Sequence, residues 1–344
     1  MSPTQVTKPR PTNRATPVPA PTMRAAVYRR YGPPEVLALE DVPTPTPRDG
    51  EVLVRVRAVA VTAADAALRA GVPFAARLAA GLRRPRLRIL GSEVAGEISA
   101  VGPGVTGWQV GDRVAGAAGA AMGSYAEHVR LAALGLARVP PALGMADAVA
   151  VTEGGLTALP FLRDHAKVRP GDRVLVNGAS GSVGTAAVQL AKHLGAHVTG
   201  VCSAANVELV RSLGADEVID YTAADFALAR EAYDVVLDAV GTRSYRECRA
   251  ALRPGGIYLT TVPTAAILHQ ALRTRWFGSR RAGIAFTGLR KPADKAGDLT
   301  TILGLAETGN LRPVIDHACS LERLAQAHRH VDSRRKRGAV VVTL

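Results

Sequence analysis

The chain has 344 residues, 47 % of them apolar and 21 % charged, and a formal net charge of +14. That length points to roughly two domains at about 150 residues each; the composition excludes a disordered chain, and no apolar run approaches the ~20 residues of a membrane helix. Three isolated cysteines, Cys202, Cys248 and Cys319, exclude a disulfide scaffold and a four-cysteine zinc lobe, and suit a reducing cytosol.

In chain order, residues 1–22 form a Pro/Thr-rich tail without the apolar stretch of a signal peptide, expected to be disordered. Met23 opens the folded pattern. Val52–Val59 alternates valines with outward arginines as a half-buried strand, and short strands follow at 91–98 and 111–116. That spacing predicts a small barrel or sandwich. Residues 72–90, with Arg83, Arg84, Arg86 and Arg88, read as a solvated basic loop, the alternative being a lip over a site. From about 148 the pattern changes: a helix over 147–164, a turn at Pro170–Asp172, a strand at 173–177, a helix over 185–194, a strand at 197–201 and a helix over 207–213. Strands at 217–220, 233–238, 257–260 and 283–288 follow, then helices over 294–308 and 321–332 and a closing strand at 338–344. Strands apolar throughout and alternating with helices imply a parallel sheet covered on both faces.

Asn177-Gly178-Ala179-Ser180-Gly181-Ser182-Val183-Gly184 lies between a strand and a helix. It places Ala179, Gly181 and Gly184 at the positions of a dinucleotide-binding turn: tight turn, backbone approach to a pyrophosphate, and close helix packing. The helix that follows turns free N–H groups and its positive end toward the phosphates. At the end of the next strand, Val201–Asn206 contains no acid to hold the ribose 2′-OH of NAD, and no base for a 2′-phosphate. Ser203 and Asn206 are the donors available there, with Arg211 further along the helix, so the reading favours NADPH with NADH left open. Val240-Gly241 ends the fourth strand, where the sheet's carboxyl edge borders the ligand crevice.

Together with Gln189–Lys192, Leu213–Asp216, Val218–Tyr221, Gly102-x-Gly104-Val105, Val110–Val114 and Leu311–Asp316, this turn resembles the medium-chain dehydrogenase/reductase superfamily over residues 23–344. The branch it is most similar to is that of the zinc-independent quinone oxidoreductases and enone reductases. The resemblance implies an α/β protein: a GroES-like β-barrel catalytic domain (23–147 plus 292–344), and a Rossmann domain with a doubly wound parallel sheet (148–291) carrying the cofactor. It implies a small-molecule electron acceptor, a homodimer and a cytoplasmic location. Tyr221 is carried over as a contact beside the 2′-phosphate, the alternative being a sheet-edge aromatic; Thr157 is a residue near the nicotinamide.

Zinc-dependent relatives have a Cys in the segment matching Val61–Asp65 and a His-Glu pair matching Ser92-Glu93; here Thr62 and Ser92 stand in those segments. One carboxylate, Glu93, falls short of the three protein ligands of a catalytic zinc, so no zinc is expected. His193, His197, His328 and His330 read as structural. Without a metal the acceptor's carbonyl must be polarised by hydrogen-bond donors. Thr62, where many relatives have Asn, is the first candidate and Ser92 the second, with water as proton source. Asp65 is either a helix-capping acid or a proton relay. Three functions are weighed: NADPH-dependent reduction of a quinone or activated C=C; a redox-silent NADP(H)-binding structural or regulatory protein; and nucleic-acid binding. The last lacks any aromatic platform or basic helix.

Overall fold

The computed structural model describes residues 21–74 and 76–344. Residues 1–20, nearly all of the expected tail, lie outside them. Along the chain come β1 (Thr22–Val27), β2 (Ala38–Pro43), β3 (Glu51–Ala60), α1 (Ala63–Ala70), α2 (Ala76–Ala80), β4 (Glu93–Val101), β5 (Arg113–Ala117), β6 (His128–Ala132), β7 (Leu136–Arg138) and α3 (Met145–Pro160). Then follow β8 (Arg173–Asn177), α4 (Ser182–His193), β9 (His197–Cys202), α5 (Val207–Ser212), β10 (Glu217–Asp220), β11 (Tyr233–Asp238), α6 (Tyr245–Cys248), β12 (Leu252–Thr260), α7 (Ala265–Trp276) and β13 (Arg281–Ile284). The chain closes with α8 (Pro292–Glu307), β14 (Ile315–Ser320), α9 (Leu324–Asp332) and β15 (Ala339–Thr343).

Six strands form a fully parallel sheet in the order β10-β9-β8-β11-β12-β13. Chain direction across the sheet reverses at β8, so a crevice opens outside the carboxyl ends of β8 and β11. The period of two explains why both faces are covered. Val174 and Val176 of β8 join a core that runs through α3 and α4. Leu175, between them, packs with Val236, Tyr258 and Cys248 on the opposite face.

The other large sheet runs β14-β15-β3-β4-β5-β7, with β6 also on β3. Its pairings are antiparallel except β14 with β15. Val52, Val54 and Val56 of β3 point into its interior core, as the alternation predicts. Ala58, Ala95 and Ala115 face outward instead, into the core shared with α3. α3 is therefore buried all round, which explains its nearly unbroken apolar text.

The expected strand at 283–288 is instead β13, ending at Ile284, because the chain tightens into a 3₁₀ turn at Thr287–Leu289. The basic insert 72–90 contains the short helix α2. α7 was not anticipated: Leu268, Leu272 and Trp276 are exposed while Gln270 and Thr274 are buried, so its sequence shows no clean apolar stripe.

Candidate active site

β8 delivers the chain to Gly178, whose φ of +80° turns it sharply. α4 starts at Ser182 with Gly181 as an N-cap that makes no side-chain hydrogen bond. Thr185 N–H donates to Gly181 O at 2.8 Å, so the N–H groups of Ser182, Val183 and Gly184 have no partner within the helix. A Cβ on Gly184 would stand 2.7 Å from Ala179 Cα, inside the turn's own backbone. A Cβ on Gly154, where α3 crosses, would stand 2.8 Å from the Ser182 carbonyl carbon. Small residues on both helices thus bring free N–H groups to the mouth of the crevice, a cradle that fits a pyrophosphate.

Next to it Asn206 Nδ2 donates to Ser180 Oγ at 3.1 Å and to Ser203 Oγ at 3.3 Å. Both serine oxygens therefore act as acceptors, and both hydroxyl protons remain available to an anion. Asn206 Oδ1 is closed from solvent without a partner. Arg211 is turned to Glu208 at 2.8 Å. Tyr221 is exposed, and its N–H donates to Cys202 O at 3.1 Å, which sets it beside the end of β9. Ala179, Ser180, Gly181, Ser182, Val183, Gly184, Ser203, Asn206 and Tyr221 all gather at the carboxyl ends of β8, β9 and β10.

Asn177 has a different task. Its Nδ2 donates to Asp238 Oδ1 at 3.0 Å and to Thr242 Oγ1 at 3.1 Å, bracing β8 to β11 instead of reaching into the crevice. Asp238 is fully buried. It also accepts from the N–H groups of Val240 at 3.1 Å, Gly241 at 2.9 Å and Arg243 at 3.1 Å, and from the Tyr258 hydroxyl at 3.1 Å. This carboxylate shapes the Val240-Gly241 turn on the crevice wall. The signal for it in the sequence is the acid that ends the apolar run Val235-Val236-Leu237. Thr157, half-buried, lies on α3 one turn beyond Gly154.

The opposite wall is built at the ends of β3 and β4. Thr62 is the N-cap of α1 in a reciprocal capping box with Asp65. Asp65 N–H donates to Thr62 Oγ1 at 3.0 Å, and Thr62 N–H and Oγ1–H donate to Asp65 Oδ2 at 3.0 and 2.7 Å. Gly91 N–H donates to Asp65 Oδ1 at 3.1 Å. The one hydroxyl proton of Thr62, the first donor candidate, is directed to Asp65. Asp65 caps α1 and ties it to Gly91, and burial pushes its carboxyl up against the pull of those hydrogen bonds.

Ser92 Oγ accepts from Gly119 N–H at 3.1 Å, and a side-chain hydrogen bond from Ser92 partly offsets the upward push of burial on the Glu93 carboxyl. The buried Lys295 of α8 donates to Gly288 O at 2.7 Å, and its Nζ is 3.0 Å from where a Gly119 Cβ would stand. Burial lowers its pKa. Glu93, whose Oε2 is closed from solvent without a partner, is pushed up to about 8 by burial and then by the charges of Asp65 and Glu153.

A final cluster joins the walls. Ser182 Oγ donates to Glu153 Oε1 at 2.7 Å, and Lys336 Nζ donates to the same oxygen at 3.1 Å and to Ser182 Oγ at 2.9 Å. Gly338 N–H donates to Ser180 O at 2.8 Å, fixing the C-terminal segment against the glycine turn. Sequence reasoning missed Glu153, Lys295 and Lys336. For the two lysines the signal was scarcity, since arginine outnumbers lysine 37 to six and two of the six lysines are in this region; Glu153 stands out only as an acid within an apolar helix.

A catalytic zinc does not fit these donors. Thr62 and Ser92 offer hydroxyls in place of thiolate and imidazole, and no group of three His, Cys, Asp or Glu is gathered among the described residues. His328 is fully buried against Tyr125, ring centroids 5.6 Å apart. His330 pairs with Asp316, and α4 ends at His193, well before His197.

Two family models match the chain: "Alcohol dehydrogenase GroES-like domain" over residues 48–161 and "Zinc-binding dehydrogenase" over residues 213–342. A quinone oxidoreductase of Pseudomonas aeruginosa is 33 % identical over 330 residues, covering 92 % of this chain and 98 % of that protein. The spectinabilin polyketide synthase system protein NorB of Streptomyces orinoci is 36 % identical over 310 residues; the match covers 86 % of this chain but 13 % of NorB. The solved quinone oxidoreductase of Coxiella burnetii superposes with a TM-score of 0.84 at 29 % identity, covering 94 % of this chain and all of that one. A glycine-turn crevice beside an antiparallel barrel, matched along nearly its whole length, places the chain in the medium-chain dehydrogenase/reductase superfamily, in its quinone oxidoreductase branch.

Proposed function

We propose that the chain is an NADPH-dependent oxidoreductase that transfers hydride to a quinone or an enone without a metal. The observation that carries the reading is the glycine cradle facing a wall of hydroxyl and amine donors instead of thiolates and imidazoles. The relatives named as quinone oxidoreductases support it. The bound nicotinamide supplies the hydride. The N-terminus of α4 holds the pyrophosphate, and the Ser180 and Ser203 hydroxyls donate to the 2′-phosphate. The Ser92 hydroxyl, seated by Gly119, polarises the acceptor's carbonyl, and the desolvated Lys295 ammonium adds positive potential beside it. A conjugated acceptor needs no stronger help, since its own π-system spreads the arriving charge.

The division into residues 23–147 plus 292–344 and 148–291, a homodimer and a cytoplasmic location belong to the same proposal. β14 and β15 joining the sheet of β3 support that division, and no helix among the described residues is long and apolar enough to cross a membrane.

The purified protein should oxidise NADPH with a small quinone or enone, and reduce NADP⁺ little with ethanol or benzyl alcohol. Elemental analysis should find no stoichiometric zinc. Robust alcohol oxidation, or zinc whose removal abolishes activity, would overturn the reading. One observation favours a redox-silent NADP(H)-binding protein instead: the Thr62 hydroxyl is locked in its cap. Cofactor binding with no turnover across quinones and enones would establish that alternative.

A further inference from the structure

Lys336 comes from the segment between α9 and β15, far in sequence from both residues it binds. Gly338 sets its position: φ is +77° there, and its N–H anchors to Ser180. The side chains of Lys336 and Glu153 are only 13 % and 6 % exposed. A buried carboxylate at the N-terminus of α4 occupies the ground an anionic ligand would need. It is favourable to the helix end but repels a phosphate. Glu153 Oε2 is closed from solvent without a partner. The ammonium has three N–H donors, of which two are directed to Glu153 Oε1 and Ser182 Oγ. The third is unassigned, beside Ser182, the first residue of α4.

We propose that Lys336 is a cofactor-binding residue that donates to the dinucleotide's pyrophosphate, and that Glu153 is the positioning residue holding it at the end of α4. This rests on the cofactor reading above. Binding leaves the covalent chemistry untouched. It brings the pyrophosphate's negative charge to an ammonium already desolvated, a stronger partner there than in water. Because Ser182 lies at the pyrophosphate end of the turn and Ser203 at the ribose end, Lys336 acts on the part common to NADH and NADPH. The Ser203 hydroxyl acts on NADPH alone.

The test is titration of NADPH and NADH against the parent chain, Lys336→Met, the double variant Glu153→Gln/Lys336→Met, and Ser203→Ala, each checked for folding by thermal melting. Lys336→Met leaves Glu153 buried and unpaired, which can unfold the chain; the double variant removes both charges and keeps the question answerable. Lys336→Met should weaken both cofactors by a similar factor, at least about tenfold, and the double variant should remain several-fold weaker than the parent. Ser203→Ala should weaken NADPH only. A double variant restored to parental affinity would show that Lys336 merely neutralises Glu153, and overturn the inference. Loss of NADPH affinity alone in the lysine variants would move Lys336 to the 2′-phosphate and overturn it equally. A parent chain that binds neither cofactor sinks the cofactor reading itself, and the inference with it.

Discussion

Ser92 and Thr62 carry similar hydroxyls to the same wall, yet their environments divide their roles. Thr62 closes a capping box whose loss costs about 1 kcal/mol, and removing its hydroxyl takes one donor from the buried Asp65. Thr62→Val should therefore lower the melting temperature, with kcat affected less than in Ser92→Ala. Ser92→Ala removes the hydroxyl donor nearest the proposed acceptor site and should lower kcat on the order of a hundredfold with little change in KM, if that donor acts on the transition state. Steady-state kinetics on both variants decide between them; a Ser92→Ala enzyme with parental kcat would remove Ser92 from the mechanism. His328 makes a second prediction. Burial, then the charge of Arg69, lowers its pKa from 6.5 to about 3. Between those values the unfolded chain binds a proton that the folded chain refuses, so this group's contribution to stability falls as pH drops below about 6.5. His328→Phe should flatten the loss of melting temperature between pH 7 and pH 5. An unchanged acid slope would show that His328 is protonated in the fold.

At the scale of elements, the site depends on how closely two helices approach. α3 and α4 meet at Gly154 and Ser182, and α4 folds back on its own turn at Gly184, with no room for a methyl group at either glycine. In a helix an alanine is ordinarily preferred to glycine by about 1 kcal/mol, so propensity alone predicts that Gly184→Ala stabilises α4. Steric overlap reverses that sign. Gly184→Ala should abolish measurable NADPH binding in calorimetric titration while the antiparallel sheet keeps its folded circular-dichroism signal. Retained affinity would mean that the turn at 178–184 does not hold the cofactor. α7 illustrates the limit of element-level reading. Leu268, Leu272 and Trp276 face solvent while Gln270 and Thr274 are buried, so no hydrophobic period announces it, whereas β8 and β11, each with an unbroken apolar run at its centre, were legible to the residue.

For the molecule as a whole, the last strand is a structural keystone. β15 lies between β14 and β3, and Val340, Val341 and Val342 are fully buried. Burying each valine stabilises by about 1.5–3 kcal/mol, so the three together rival the 5–15 kcal/mol of a typical domain's net stability. A chain cut after Asp332 should fail to melt cooperatively and should lose cofactor binding, since Gly338 and Lys336 leave with the strand. Calorimetry of the truncated chain checks this; a cooperative transition near the parental temperature would contradict the role assigned to β15.

Local periodicity encodes many of the elements and their order. β10 and β11 appear at their predicted residues, the strand–turn–helix at 173–193 follows from its glycines, and the cofactor crevice is implied by the order of these units. Capping by Asp65 was one of two alternatives open in the sequence; Thr62 as its partner in the cap had to be seen. The remaining contacts of the site come from packing between distant segments. Lys336 meets Ser182 across 154 residues and Glu153 across 183; Asn177 turns to Asp238 across 61. No pattern along the chain specifies such pairs, because they arise where separately encoded elements are brought together by burial of their apolar faces. There a buried polar group must find its partner among whatever the fold places beside it.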